Sequence, residues 1–243
     1  MHALEIKNLT KSFGGVHAIR GLTVSFAQGK ITSVIGPNGS GKTTLIHILS
    51  GMHTVGSGTV SCNNHVLRTI NPEALPRIGI TRTFQDVRLF EQMTVLDTIL
   101  VVLTPRNPWH ALFKSTARSH YARAEEVLTR VGLWGKRNEY AYNLSYGQRK
   151  LLEIARVIAM DTPIILLDEP FAGLFKEMVR VIVGVINELK ASGKTIILIE
   201  HDMALIRELS NHVVVMDAGT LLAEGNPSEV LARRDVIEAY LGE

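Results

Sequence analysis

Residues Leu4–Leu9 alternate apolar and polar side chains, the period of a half-buried strand, and Leu22–Phe26 repeats that pattern. Lys30–Ile35 is a third strand, rich in β-branched residues, and runs directly into a glycine-rich loop. Lys42–Ser50 continues with helical character. After the turn-rich Gly51–Gly58, Thr59–Val66 returns as a strand. Asn71-Pro72-Glu73 supplies a cap, a proline at the first helical position and an early acid, which predicts a short helix. Gly79–Phe84 is the next strand. Between Asp86 and Met160 the texture changes. Leu96–Leu103, His120–Arg130 and Gln148–Ile158 are helical, with loops at Pro105–Pro108 and Gly132–Ala141. Strands resume at Ile164–Leu167, Thr195–Ile199 and His212–Met216, with helices at Lys176–Lys190 and Met203–Leu209 between them. Asn226-Pro227-Ser228-Glu229 starts a last helix. Alternating strands and helices predict an α/β fold with a largely parallel core sheet, into which a helical subdomain is inserted.

Composition narrows the partners. The chain has 26 basic and 23 acidic residues, a net charge of +3, too small to argue for nucleic acid or an anionic membrane. Cys62 is the only cysteine, so no internal disulfide forms and a reducing compartment, the cytosol, is expected. No uninterrupted apolar run is long enough to span a bilayer. The start, MHALEIKNLTKSFGG, lacks the apolar middle of a signal peptide. Work at a membrane would require docking onto another protein.

The loop GPNGSGKT fits G-x-x-x-x-G-K-[ST] at Gly36, Gly41, Lys42 and Thr43. Gly36, Gly39 and Gly41 permit turns that side chains would block. Backbone N–H groups then converge on phosphate oxygens at a helix N-terminus, where the dipole favours anions. Lys42 would reach the β- and γ-phosphates, and the Thr43 hydroxyl would ligate Mg²⁺. The flanking strand and helix are the context this motif needs, and its ligand is a purine nucleoside triphosphate.

The apolar run Ile164–Leu167 ends in Asp168-Glu169, as a buried parallel strand delivering acids to the sheet's C-terminal edge would. Asp168 would hold Mg²⁺ through water, and Glu169 would orient or deprotonate an attacking water. Ile196–Ile199 ends in Glu200-His201-Asp202 beside the same edge, where His201 can contact the γ-phosphate. Gln85, at the end of Ile80–Phe84, can contact Mg²⁺ or water there.

Asn143-Leu144-Ser145-Tyr146-Gly147-Gln148, followed by a helical run and then IILLDEP, resembles the signature segment of the ATP-binding cassette family. With the phosphate loop, Gln85, Asp168, Glu169 and His201 in family order, the resemblance covers nearly the whole chain. It implies a RecA-like P-loop core with antiparallel N-terminal strands. One domain, 1–243, would comprise a nucleotide-binding core at 1–85 and 161–243 and a helical signature subdomain at 86–160. It implies that Phe13 stacks on adenine and that Gly36, Pro37, Asn38, Gly39, Ser40, Gly41, Lys42, Thr43 and Thr44 contact the nucleotide. Ser145, Gly147 and Gln148 would complete an ATP site on an opposite cassette, identical or homologous. Lys42, Gln85, Glu169 and His201 would serve hydrolysis. Tyr146 stands where many members have glycine, and Phe175 where relatives usually have asparagine or aspartate.

Thr81–Phe90 (TRTFQDVRLF), Leu198–Met203 (LIEHDM) and Val236–Gly242 (VIEAYLG) resemble the ATPase subunit of branched-chain amino acid importers. Urea or amide importers and lipopolysaccharide export use similar cassettes. The resemblance implies permease subunits, a solute-binding protein and a place on the cytoplasmic face of the cell membrane. A soluble cassette acting on nucleic acid or ribosomes is the rival. The interval from Gln85 to Ser145 leaves no room for a long coiled-coil arm, and the chain holds one cassette, not two fused. No direct contact with nucleic acid is expected.

Overall fold

The structure, a computed structural model, describes residues 1–63, 65–67, 70–83, 89–104 and 114–241. The chain divides into two compact units. The first is Met1–Arg82 with Thr162–Glu169 and Lys190–Glu243; the second is Thr83–Asp161 with Pro170–Leu189.

The first unit carries two sheets. Strands β1 (His2–Phe13) and β2 (Val16–Ala27) form an antiparallel hairpin. Its turn, Gly14-Gly15, has positive φ at both residues (50° and 86°), which matches the twist of a two-residue hairpin. β4 (Ser57–Cys62) and β5 (His65–Val66) extend this sheet in the order β2-β1-β4-β5. The second sheet has the order β10-β9-β3-β8-β7-β6. Its strands are β3 (Ile31–Ile35), β6 (Ile80–Arg82), β7 (Ile164–Asp168), β8 (Thr195–Ile199), β9 (His212–Asp217) and β10 (Thr220–Gly225). All its neighbours pair in parallel except β10, which is antiparallel to β9. β3, β7 and β8 are buried along their whole length, which is why they read as unbroken apolar runs.

Helix α1 (Lys42–Leu49) follows the glycine loop and buries Leu45, Ile46, Ile48 and Leu49 against the hairpin's inner face, among them Leu4, Leu9 and Phe26. A second cluster joins Ile35, Val213 and Val215 to α6 (Met203–Leu209), α7 (Pro227–Val230) and α8 (Arg234–Leu241) through Ile206, Val230 and Val236.

In the second unit, α2 (Val95–Leu103) and α3 (Lys114–Arg130) pack on α4 (Tyr146–Met160). The Thr94 hydroxyl caps α2 by accepting from Asp97 N–H at 3.0 Å. Leu152, Ala155, Val127, Leu128 and Ile99 are buried there. α5 (Lys176–Ala191) follows β7. Among the described residues, no helix is long and apolar enough to cross a membrane.

The differences from the sequence pattern sit mostly at element ends. α3 begins at Lys114 rather than His120, because its first turns are polar and carry no apolar stripe. The expected strand Thr59–Val66 is two short strands. The helix expected at Asn226 is only the four-residue α7, capped as expected by Asn226; α8 is separate. Asn71 likewise caps as expected, but the helix it starts, Pro72–Ile78, is 3-10. β10 lacked a clear alternating pattern, being a short edge strand. Phe84 and the Pro105–Pro108 loop lie outside the described residues.

Candidate functional site

Parallel pairing brings three strand ends to one edge. Ile199 of β8 is opposite Val34 of β3 on one side and Asp168 of β7 on the other. The residues that follow are therefore neighbours: the glycine loop after β3, Glu169 after β7, and Glu200 and His201 after β8. This is the C-terminal edge of a parallel sheet, where α/β folds place their ligands.

Gly36 has φ 146° and Gly41, which precedes α1, has φ 101°. A Cβ at Gly36 would stand 2.0 Å from the Met216 carbonyl oxygen, and one at Gly41 would stand 2.5 Å from that of Ala18. Both positions therefore demand glycine twice over, by conformation and by space. The Lys42 side chain is folded into the loop. Its ammonium donates to the carbonyls of Gly36 (2.7 Å) and Pro37 (2.8 Å), with Ser40 Oγ at 3.4 Å. These oxygens hold the charge inside the loop. Ser40 and Pro37 are buried, whereas Asn38, Gly39 and Thr43 are exposed and Thr44 is half-buried. α1 has no side-chain cap hydrogen bond at Gly41, and Thr43 in its first turn is exposed, so this helix start can accept an anion.

Glu169 and His201 meet directly: His201 Nε2 lies 2.7 Å from Glu169 Oε1. Glu169 has φ 47°, a left-handed backbone uncommon for a non-glycine residue, while its N–H donates to the Ile199 carbonyl at 3.0 Å. That left-handed turn follows the last residue of β7, and the carboxylate it carries is held by His201. The buried Glu200, which the sequence pattern did not single out, accepts the His201 backbone N–H at 2.9 Å and so fixes the histidine's start. Asp202 caps α6 by accepting from Ala204 (2.8 Å) and Leu205 (3.2 Å).

Asp168 is buried at the end of β7 and pairs with Arg82 of β6 at 3.4 Å. The same guanidinium donates to Ser50 Oγ at 2.5 Å, just past the end of α1. Arg82 thus ties two strands to that helix and supplies a counter-charge for a carboxylate removed from water. Sequence reasoning missed it, because the short strand Ile80-Thr81-Arg82 mixes apolar and polar residues and a cation in it does not stand out. One carboxylate and one hydroxyl suit a hard divalent cation that arrives with phosphate oxygens and keeps several waters. No group of three or more His, Cys, Asp or Glu among the described residues would hold a metal by itself.

Phe13, at the hairpin tip, is 41% exposed, so its ring remains available. His53 meets it edge-on at 4.9 Å, and Lys11 Nζ stands 5.1 Å from its centroid. Lys11 is itself held by the Thr54 carbonyl at 2.8 Å. The aromatic platform is therefore supported by the segment after α1.

In the second unit, Ser145 and Gln148 form a capping box at the start of α4. Ser145 Oγ accepts from Gln148 N–H (3.3 Å), and Gln148 Oε1 accepts from Ser145 N–H (3.0 Å). The Gln148 side chain is thus engaged in shaping the helix start, while Ser145 stays exposed. Gly147 is buried, and a Cβ there would lie 2.2 Å from Met178 Sδ of α5. The ring of Tyr146 lies over Gly173, where an added Cβ would be 3.1 Å from its Cε1. Phe175 is 77% exposed. Gln85 lies outside the described residues.

A parallel-sheet edge joining a phosphate loop to a strand-end acid pair defines a P-loop nucleotide hydrolase, and comparison with known proteins narrows the class. The ABC transporter family model matches residues 19–172, and a model of the branched-chain amino acid ATP-binding cassette transporters matches residues 220–243. The chain belongs to the ATP-binding cassette transporter family: it is a cassette that binds and hydrolyses ATP.

The chain is 38% identical to the high-affinity branched-chain amino acid transport ATP-binding protein LivG of Salmonella typhimurium, over 99% of this chain and 98% of that one. It is 37% identical to BraF of Pseudomonas aeruginosa, a protein of the same description, with the same coverage. A nucleotide-free cassette from an ABC transporter matches with TM-score 0.86 and 34% identity over 100% of both chains. A dimeric cassette in a post-hydrolysis state, bound to ADP and Pi, matches with TM-score 0.80 and 26% identity over 92% of this chain and 98% of that one.

Proposed function

We propose that this chain powers import of branched-chain amino acids through partner permease subunits. The observation that carries this reading is the match of the C-terminal segment, residues 220–243, to the branched-chain cassette model, alongside full-length likeness to LivG and BraF. The general cassette features alone do not specify a cargo. An arginine transport ATP-binding protein of Bacillus subtilis is itself 34% identical over 93% of this chain.

The unit of function is one cassette domain, a core of 1–85 and 161–243 with an inserted subdomain at 86–160. Phe13 stacks on the adenine. The N–H groups of Gly36–Thr44 and the ammonium of Lys42 bind the triphosphate. Thr43 and Asp168 hold Mg²⁺, with Gln85 as a further contact. Bound there, Mg²⁺ neutralises charge on the β- and γ-phosphates. Glu169 orients the attacking water and accepts its proton, and His201 contacts the γ-phosphate while fixing Glu169 through their 2.7 Å bond. Ser145, Gly147 and Gln148 serve an ATP held on a second cassette, identical or homologous. The dimeric, ADP-bound relative supports that arrangement. A solute-binding protein delivers the cargo, and the cassette sits on the cytoplasmic face of the membrane through its permeases.

The second unit offers a surface for that docking. Phe90 is 70% exposed, and Tyr140 and Tyr142 stack at 5.5 Å while remaining 46% and 54% exposed. Backbone bonds from Ala141 to Met93 (2.9 Å) and from Tyr142 to Glu91 (3.2 Å) hold these segments together. Phe90→Glu or Tyr142→Glu is expected to cut transport by roughly tenfold or more, as loss of an aromatic anchor at an interface does, while the isolated cassette keeps its basal ATPase. Unchanged transport in proteoliposomes would remove this surface from the docking role.

Co-purification from native membranes tests the function as a whole. Recovery of permeases and a binding protein that takes leucine, isoleucine or valine is expected. Recovery of a urea or amide binding protein, of lipopolysaccharide-export partners or of nucleic acid would overturn it.

A further inference from the structure

The backbone N–H of Gly36 donates to the phenolic oxygen of Tyr240 at 2.6 Å, across 204 residues of sequence. Gly36 opens the phosphate loop, and Tyr240 lies near the end of α8. The ladders of β3 stop at Val34 with β8 and at Ile35 with β9, so the amide of residue 36 lies beyond the sheet's own pairing. Gly36 is buried and pressed against the Met216 carbonyl. A buried amide in that position needs an acceptor, and the tyrosine supplies it.

α8 is built to hold the phenol there. Val236 and Tyr240, four residues apart, share one helix face, and both pack in the cluster with Ile35, Val213 and Val215. The Arg234–Glu238 ion pair (2.6 Å) lies on exposed residues, and Asp235 receives the Val236 N–H at 3.0 Å at the helix start. On its other side, residue 36 is tied through its carbonyl to Lys42. The lysine must leave that carbonyl to reach a phosphate. The amide bond to Tyr240 then remains as the restraint on the loop's first residue.

We propose that Tyr240 is a positioning residue of the nucleotide site, by which the C-terminal segment that matches the branched-chain cassettes pre-organises the phosphate loop for ATP. The proposal rests on the reading of Gly36–Thr44 as the phosphate loop. Without the phenolic oxygen, residue 36 shifts to find another partner for its N–H, and binding must reverse that shift.

Tyr240→Phe keeps the ring and removes the phenolic hydroxyl, the acceptor for Gly36 N–H together with its O–H donor. It is expected to weaken ATP and ADP binding by roughly tenfold, ~1.4 kcal/mol, with KM raised in step and kcat at saturating ATP retained. A purely structural role would lower the nucleotide-free melting temperature and leave the Kd for ATP unchanged, and that result overturns the proposal. Amide exchange on the nucleotide-free native protein gives a second reading that does not depend on how the variant folds. Gly36 N–H should be protected, and a freely exchanging Gly36 amide refutes the pin. Lys42→Ala serves as the control. If it also leaves the ATP Kd unchanged, the phosphate-loop reading has failed; if Tyr240→Phe alone does so, only the role of Tyr240 falls.

Discussion

Glu169→Gln is expected to slow ATP hydrolysis by roughly 10²–10⁴-fold, the range for losing a positioned general base, while the protein still binds ATP. The amide matches the carboxylate in size and can keep a hydrogen bond to His201 Nε2, now 2.7 Å away. What it loses is the negative charge and the capacity to take a proton from water. The turn that presents it is set by the backbone, through the Glu169 N–H bond to Ile199 and the positive φ of 47°. The substitution therefore changes chemistry without changing where the side chain starts. Single-turnover hydrolysis and equilibrium ATP binding, measured side by side, separate the two steps. With hydrolysis blocked and binding intact, the ATP-bound dimer should accumulate and be visible by size. Turnover at the native rate would take Glu169 out of the base role and leave its hydrogen bond with His201 as architecture.

The parts of this molecule that sequence exposed are those whose constraints are local. A glycine loop between a strand and a helix is legible because φ, spacing and charge are all specified within nine residues, Gly36 to Thr44. Asp168 and Glu169 are legible because a strand buried on both faces has to be apolar, so acids at its end stand out. Phe13 drew attention through family resemblance, since an aromatic near a hairpin turn means little alone, whereas His201 was placed by strand order beside the same edge as Asp168 and Glu169.

Arg82 and Tyr240 were not legible, for a shared reason. Each acts through partners set by sheet order or by a distant helix: Arg82 on Asp168 across β6 and β7, Tyr240 on Gly36 across 204 residues. Gly147 is a mixed case. Its place in the signature suggests a ligand contact, while its close approach to Met178 shows that a side chain there would also force the end of that methionine on α5 to move. The same holds for Gln148, whose capping box is local enough to read from S-x-x-Q spacing but was overshadowed by the family role.

Lys42→Ala is expected to weaken ATP binding by about a hundredfold or more, because at least one charge-assisted contact to phosphate, worth about 1.5–3 kcal/mol, disappears together with the cation that offsets the triphosphate's charge. The structure adds a second consequence. Lys42 is buried, and its ammonium satisfies the carbonyls of Gly36 and Pro37 at 2.7 and 2.8 Å. Alanine leaves both oxygens without that donor, so the nucleotide-free loop should also lose order. A melting scan with and without ATP distinguishes the effects. Loss of the nucleotide-induced rise in melting temperature reports the missing phosphate contact, whereas a lower starting value reports the carbonyls. Arginine at this position keeps the charge but replaces a compact ammonium with a planar fork of different reach, so Lys42→Arg should rescue binding only in part. An ATP affinity equal to that of the native protein in Lys42→Ala would contradict the assignment of this loop to the phosphates, and with it the basis on which the roles of Thr43, Asp168 and Glu169 are set.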